Sequence, residues 1–331
     1  MKSRKVVIIG IGSIGKRHLE NIISLGYGDI ILIRRNGEKL IGYENLEVFK
    51  TIEEGCLKYS FDIAVISTPT ANHLKTLKVL LKFNVNNIYL EKPISNEYNE
   101  YNEILEEIEV KKINLTVGYD LHFEPGLMKM KKIISTGCIG DIVSFISEVG
   151  QYLPDWRPTV DYRESMSARK IDGGGVMLDL VHEFDYINWL LGPFISIVGI
   201  HDKLSNLEIE TEDISVNILK AQSGAIGTLH LDYLQKELSR KCKIIGNNGT
   251  IVWDYSKAVL KWKTNDKVEW ESYDYSSFSR NDRFMNIMQL FMESSYQSRD
   301  ERLTTFKDAL RSLKMVTLSK QSNTTKMVGL L

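Results

Sequence analysis

The 331-residue sequence predicts an α/β chain in two parts: a doubly wound parallel sheet, then a region of antiparallel strands. Three observations carry this. The length exceeds what one hydrophobic core usually serves, so two domains are expected. The first third alternates short β-branched runs with helical stretches, the pattern of parallel strands joined by right-handed crossovers. From about residue 195 to 270, strand-like runs follow one another with only short Gly or Asn connections, which makes neighbours antiparallel.

In order, VVIIG (6–10) lacks polar interruption, as a strand buried on both faces would, and 15–26 reads as a helix. DIILIRR (29–35) is a second strand and DIAVIST (62–68) a third, after a connection through Glu53 and Glu54. HLKTLKVLLKF (73–83) has helical apolar spacing, NIYLEK (87–92) is a strand, 97–112 a charged helix, and LTVGYD (115–120) a strand again. A helix near 125–136 precedes DIVSFISEVG (141–150), which alternates like a half-exposed strand, and a polar, aromatic stretch over 151–170. The strands ISIVGIH, DISVNILKA, AIGTLHLDYL, RKCKIIG, GTIVWD and AVLKWK follow, with GNNG (246–249) as a hairpin turn. Two helices, 281–297 and 303–319, close the chain, Thr304 or Thr305 capping the second.

Composition narrows the partners. Lys and Arg number 42 against 43 Asp and Glu, so at a net charge of −1 no global field recruits nucleic acid or anionic lipid. Cys56, Cys138 and Cys242 are far apart and odd in number, which argues against a disulfide framework or a zinc site and for a reducing compartment. No apolar stretch approaches the roughly 20 residues of a membrane span, and no cleavage-site pattern follows the N-terminus. A cytoplasmic protein with no metal, nucleic-acid or membrane partner is expected.

GIGSIG sets Gly10, Gly12 and Gly15 after a strand and at the start of a helix. That is the context of a dinucleotide loop: a tight turn, a close approach of backbone to pyrophosphate, and close helix–strand packing. The helix N-terminus adds free N–H groups for the phosphates. A purely structural turn is the alternative. The second strand ends in Arg34–Arg35–Asn36 instead of the acid that would hold the ribose of NAD. Guanidinium pairs with a 2′-phosphate, so the reading leans to NADP and keeps NAD open; two solvated loop arginines are the bland alternative.

After Gly173–Gly175, one helix is expected through VMLDLVHEFDYINWLLG. Leu180, Phe184, Ile187 and Leu191 form its apolar stripe, with Asp179, His182, Glu183 and Tyr186 on a polar stripe beside it. A carboxylate near an imidazole fixes its tautomer and raises its basicity, which suits proton transfer. In YLEKPIS, Lys92 sits at the carboxyl end of a strand of the parallel sheet, where such sheets bind ligands. An ammonium there would stabilise an emerging alkoxide.

Together GIGSIG, STPTANH (67–73), EKP (91–93), VGYDLHF (117–123) and GGGVMLDLVHEFD (173–185) resemble the Gfo/Idh/MocA oxidoreductase family, in an order that runs through most of the chain. The resemblance implies an N-terminal Rossmann domain (1–121) and a substrate-binding α+β domain (122–331) with a large, mostly antiparallel open sheet that builds a homodimer or homotetramer. It implies a cofactor site of Gly10, Gly12, Ser13, Ile14, Gly15, Arg34, Arg35, Ser67, Thr68, Pro69, Asn72, His73, Glu91 and Lys92, with Lys92, Asp179 and His182 catalytic. Tyr119, Tyr152, Trp156, Arg157, Tyr162, Arg163 and Arg169, with Asp161 among them, would meet the substrate, as would Asp179 and His182; a purely structural lid is the alternative for the stretch 152–169. Asp179 stands three residues before His182 where many members have four, so which group accepts the proton is open. The activity implied is NAD(P)-dependent hydride transfer on a secondary alcohol of a sugar, cyclitol or nucleotide-linked sugar, the arginines pointing to an anionic one. Redox-neutral glycoside cleavage with retained NAD, and a cofactor-sensing regulator, are the alternatives.

Overall fold

A computed structural model describes residues 4–99 and 101–331. In chain order the strands and helices begin with β1 (Val6–Ile9), α1 (Ser13–Ser24), β2 (Ile30–Ile33), β3 (Glu47–Phe49), α2 (Ile52–Lys58), β4 (Ile63–Ile66), α3 (His73–Lys82), β5 (Asn87–Leu90), α4 (Asn102–Val110) and β6 (Asn114–Val117). They continue as α5 (Pro125–Ser135), β7 (Ile142–Gly150), α6 (Val176–Asp179), α7 (His182–Leu191), β8 (Phe194–Asp202), β9 (Ile214–Ala221), β10 (Ile226–Asp232) and β11 (Ser239–Gly246). The last are β12 (Gly249–Asp254), β13 (Val259–Thr264), β14 (Glu271–Asp274), α8 (Arg280–Glu293), α9 (Phe306–Thr325) and β15 (Gly329–Leu330). Glu100, inside the helix expected over 97–112, lies outside the described residues.

Two compact units result: Met1–Asp120 with Arg280–Leu310, and Leu121–Ser279 with Arg311–Leu331. In the first, β3-β2-β1-β4-β5-β6 form one parallel sheet. β1 pairs with both β2 and β4, so the strand order reverses there, and the crevice at such a reversal is where these sheets hold ligands. Val6–Ile8 and Ile63–Ile66 have no exposed surface; burying each aliphatic side chain is worth about 1.5–3 kcal/mol, which explains runs without polar alternation. The strands stop short of the expected ends. Arg34, Ser67 and Glu91 fall just past the ladders, and Lys92 two residues past β5.

The stretch read as a connection through Glu53 and Glu54 contains β3 and α2. Thr51 and Glu54 make a capping box that starts α2, a signal visible in the sequence. Arg280–Leu310, placed in the second part by a division at residue 121, returns to the first unit. There α8 lies against α1, Arg283 pairs with Asp120 at 2.9 Å, and Arg299 donates to the Leu115 and Thr304 carbonyls at 2.6 and 3.0 Å. Thr305 caps α9, accepting from the Asp308 amide at 3.0 Å.

The second unit is a mostly antiparallel open sheet in the order β14-β13-β12-β11-β7-β10-β9-β8-β15. Among the described strands of this sheet, only the central β7–β10 pair runs parallel. The hairpin at GNNG joins β11 to β12, with Gly246 opposite Gly249. One face, bearing Phe145, Leu219, Leu229 and Ile244, is buried. The C-terminal part of α9 closes on it where a Cβ at Gly199 would fall 2.0 Å from Ser319 Oγ. The other face leaves Ile146, Val198, Ile200, Val216, Ile218 and Ile226 exposed.

The single helix expected after the glycine triplet is two. α6 ends at Asp179, Leu180 turns at φ −100° and ψ 27°, and α7 starts at His182. The polar stripe does not survive this break. Asp179 and His182 are half-buried, but Glu183 has no exposed surface and pairs with Arg240 at 2.7 Å. Tyr186 is likewise buried, its hydroxyl on Ser147 Oγ. A sheet packed against α7 takes up that side of the helix, which periodicity alone does not reveal.

Candidate functional site

In the first unit the glycine loop is built for a close approach. Gly10 has φ +90°, a left-handed conformation that a side chain resists, and a Cβ there would fall 2.7 Å from the Ser67 carbonyl oxygen. A Cβ at Gly15 would fall 2.0 Å from the Gly10 carbonyl oxygen, so α1 can sit against β1 only with glycine. Ser67 locks the two strand ends by donating from Oγ to the Gly10 carbonyl at 2.7 Å. Gly12 and Ser13 are exposed, Ile14 is partly so, and a Cβ at Gly12 meets nothing within 4 Å. No acidic residue occupies the first turn of α1 and no side chain caps it. Bare amides, a positive helix end and an open side fit a pyrophosphate.

The arginines after β2 divide. Arg34 donates to the Glu38 and Lys39 carbonyls and folds its own loop, whereas Arg35 is exposed. At the next strand ends, Thr68 is half-buried and Pro69 and Asn72 are exposed. His73 corrects an expectation. It is 1% exposed, and its Nδ1 and Nε2 lie 2.7 and 2.9 Å from the Pro93 and Thr68 carbonyl oxygens, so its ring braces backbone and is not turned toward a ligand. Burial pushes the His73 imidazole below its ordinary pKa, the two carbonyls opposing. Glu91, also buried, meets His18 Nε2 at 2.6 Å. Lys92 is half-exposed between buried Glu91 and Pro93. Tyr119, expected to touch substrate, has no exposed surface.

In the second unit Asp179 is held from a distant strand: the Tyr233 hydroxyl, just past β10, donates to Asp179 Oδ2 at 2.6 Å. Burial, then the nearby Asp179 charge, pushes the Tyr233 phenol well above its ordinary pKa, so it stays a donor. Trp156 stands edge-on to Tyr233 at 5.3 Å and donates to the Gln151 carbonyl at 3.1 Å. Structure therefore gathers Asp179, Tyr233 and Trp156. Tyr152 lies instead under the Lys236 ammonium. Arg163 is committed to Asp161 and Glu208, at 2.7 and 2.8 Å, which raises its already high pKa. The Tyr162 hydroxyl accepts from the Glu208 amide at 3.2 Å, and Arg169 pairs with Asp172 at 3.3 Å. Of the arginines expected over the substrate, these two already hold carboxylates, and Arg157 is exposed.

Burial pushes the thiols of Cys56 and Cys242 to about 11 and about 12, too high for a thiolate at neutral pH at these two positions. No cluster of three or more His, Cys, Asp or Glu suited to a metal occurs among the described residues. Nor is any described helix long and apolar enough to cross a membrane. Sequence reasoning missed His18 and Tyr233. His18 had a signal, following Gly15 by three positions on the buried side of α1; Tyr233 had none near Asp179.

Comparison with known proteins follows the same two-part division. A family model described as oxidoreductase family, NAD-binding Rossmann fold, matches residues 4–119, and one described as GFO/IDH/MocA C-terminal domain matches 127–252. The myo-inositol 2-dehydrogenase of Thermotoga maritima is 23% identical over 320 residues, 91% of this chain and 86% of that one. A levoglucosan dehydrogenase solved with NADH and levoglucosan superposes with a TM-score of 0.85 at 16% identity, covering 99% of each chain. The WlbA dehydrogenase of Bordetella pertussis, solved with NADH and UDP-GlcNAcA, gives a TM-score of 0.79 at 20% identity, covering 100% and 99%.

Proposed function

The chain belongs to the Gfo/Idh/MocA oxidoreductase family, and on that footing we propose that it transfers a hydride between NAD(P) and a secondary alcohol, or its ketone, on a sugar, cyclitol or nucleotide-linked sugar. The observation that carries the reading is Lys92, two residues past β5 on the sheet whose first strand feeds the glycine loop. Nicotinamide, when bound, gives or takes the hydride. Gly10, Gly12 and Gly15 with the start of α1 hold the pyrophosphate. Lys92 donates to the substrate oxygen and stabilises charge as it becomes an alkoxide. Asp179 and His182 bind the substrate hydroxyl and move its proton, Tyr233 holding the carboxylate of Asp179 in place.

For the adenosine end we assign Arg35, because Arg34 is spent on its own loop. A 2′-phosphate is within the chemistry of Arg35, and the lean to NADP rests on it alone. The exposed apolar strands of the second sheet fit a homo-oligomer built through that face. Size-exclusion chromatography with light scattering tests this; a monomer at micromolar concentration rejects it.

The enzymatic reading is tested by titrating NADH and NADPH into protein purified without nucleotide, then assaying myo-inositol, levoglucosan and UDP-linked uronic acids with NAD+ and NADP+. Lys92→Ala is expected to lower turnover by about 10²- to 10⁴-fold with nucleotide affinity unchanged. Failure to bind either nucleotide would remove the basis of the proposal.

A further inference from the structure

We propose that His18, acting through Glu91, and His73 are positioning residues that fix the main chain on both sides of Lys92. The inference rests on the reading of Lys92 above and adds what holds it.

β5 ends at Leu90, and the sheet's own ladder reaches only one residue further: the Glu91 amide donates to Ile66 at 2.9 Å. Lys92 therefore stands outside the sheet, where a long, flexible side chain needs an anchored base to deliver its ammonium to one spot. Side chains supply the anchors. The Lys92 amide donates to Glu91 Oε2 at 3.3 Å. The other oxygen of that carboxylate, Oε1, lies 2.6 Å from His18 Nε2. One carboxylate thus spans a helix on one side and the lysine backbone on the other. On the far side, the carbonyl of Pro93, next after Lys92, accepts from His73 Nδ1 at 2.7 Å. His73 Nε2 lies 2.9 Å from the Thr68 carbonyl, at the end of β4.

All three groups are buried, His18 at 0%, His73 at 1% and Glu91 at 8% exposure. The surroundings leave them little room. The His18 ring meets Tyr89 edge-on at 5.1 Å, and a Cβ on Gly118 would fall 3.1 Å from Glu91 Oε1. Among the described residues no hydrogen-bond partner meets His18 Nδ1. The geometry also links the parts: α1, which starts at the glycine loop, reaches the lysine amide through one carboxylate and its two hydrogen bonds. Such bracing matters because displacing a reacting group by about 1 Å can cost about 10²-fold in rate.

The test uses full-length protein with NADH bound and two readouts. One is the 13C-methyl NMR signal of reductively dimethylated Lys92, assigned by its loss in Lys92→Arg. The other is turnover on whichever alcohol of the above panel reacts. His18→Leu and His73→Leu are expected to lower kcat by about 10²-fold, to change the NADH dissociation constant by less than about threefold, and to shift or broaden the Lys92 signal. His18→Gln, whose amide can still reach Glu91, is expected to restore both. In a Lys92→Ala background the histidine changes are expected to add nothing, since the group they position is gone. An unmoved Lys92 signal, or full additivity with Lys92→Ala, overturns the proposal while leaving the role of Lys92 standing. If Lys92→Ala itself leaves turnover unchanged, the functional reading falls instead, and the NMR signal alone decides the brace. Should His18→Leu fail to fold, Glu91→Gln with the same readouts replaces it.

Discussion

In the six-stranded unit, the residues that bear chemistry lie within a few positions of a strand's carboxyl end: Gly10 after β1, Ser67 after β4, Lys92 after β5. In the nine-stranded unit they are collected across the chain. Asp179 closes a short helix, and the Tyr233 that holds it stands 54 residues later on a strand edge. A parallel sheet with crossovers turns one motif per strand into one row in space. An antiparallel sheet brings residues together through register, which depends on every turn between them. In the first unit the strand ends deliver these residues, and in the second a residue from a distant segment must be brought to Asp179.

The sharpest break of that contrast is Gly15→Ala. Its Cβ would meet the Gly10 carbonyl oxygen at 2.0 Å with helix and strand both rigid, so a loss on the order of 3 kcal/mol is expected, with nucleotide binding abolished. Thermal melts with an NADH titration measure both; normal binding would show that the loop has slack and is not a cradle.

Tyr233→Phe does the corresponding damage in the second unit and is milder. It removes one hydrogen bond to a carboxylate that is only half-buried, worth about 1.5 kcal/mol. Turnover is expected to fall about tenfold with nucleotide affinity unaltered. Equal loss of nucleotide affinity would mean that Asp179 and Tyr233 serve general stability.

A smaller effect separates the units by pH. Burial holds His73 below its ordinary value, so below about pH 6.5 the unfolded chain binds the proton first. Stability is then lost as pH falls from about 6.5 through the lowered folded value. His230, in the other sheet, has the opposite sign: its bond to Asp232 at 2.9 Å holds it above the ordinary value. Its stabilisation is full below about pH 6.5 and is lost as pH rises through the raised folded value. Because His230 is half-exposed, solvent weakens this contribution. Urea melts across pH 5–8 for His73→Gln and His230→Gln are expected to flatten opposite limbs of the stability profile; limbs of one sign would contradict the assignment of burial to His73 and of the Asp232 bond to His230.

Arg163→Ala is expected to do least. The residue is exposed and its two carboxylate partners are solvated, so the melting temperature should not move. A large fall in turnover on an anionic substrate, with unchanged melting, would restore Arg163 to the substrate.

What the sequence settled by itself was local or periodic. The apolar runs of β1 and β4 read as doubly buried strands from their flanking turns and length, GIGSIG reads as a strand–turn–helix, and GNNG with its flanking strands is a hairpin. Each of these depends on neighbours within about ten residues. The return of Arg280–Leu310 to the first unit, the break of one expected helix between Asp179 and His182, and the commitments of His73, of Glu183 and of Arg163 toward Glu208 were decided by tertiary structure. The physical reason is the same in each case. A segment or a polar side chain takes whichever partner the folded chain brings near, and that partner is not written in the spacing of the residues themselves.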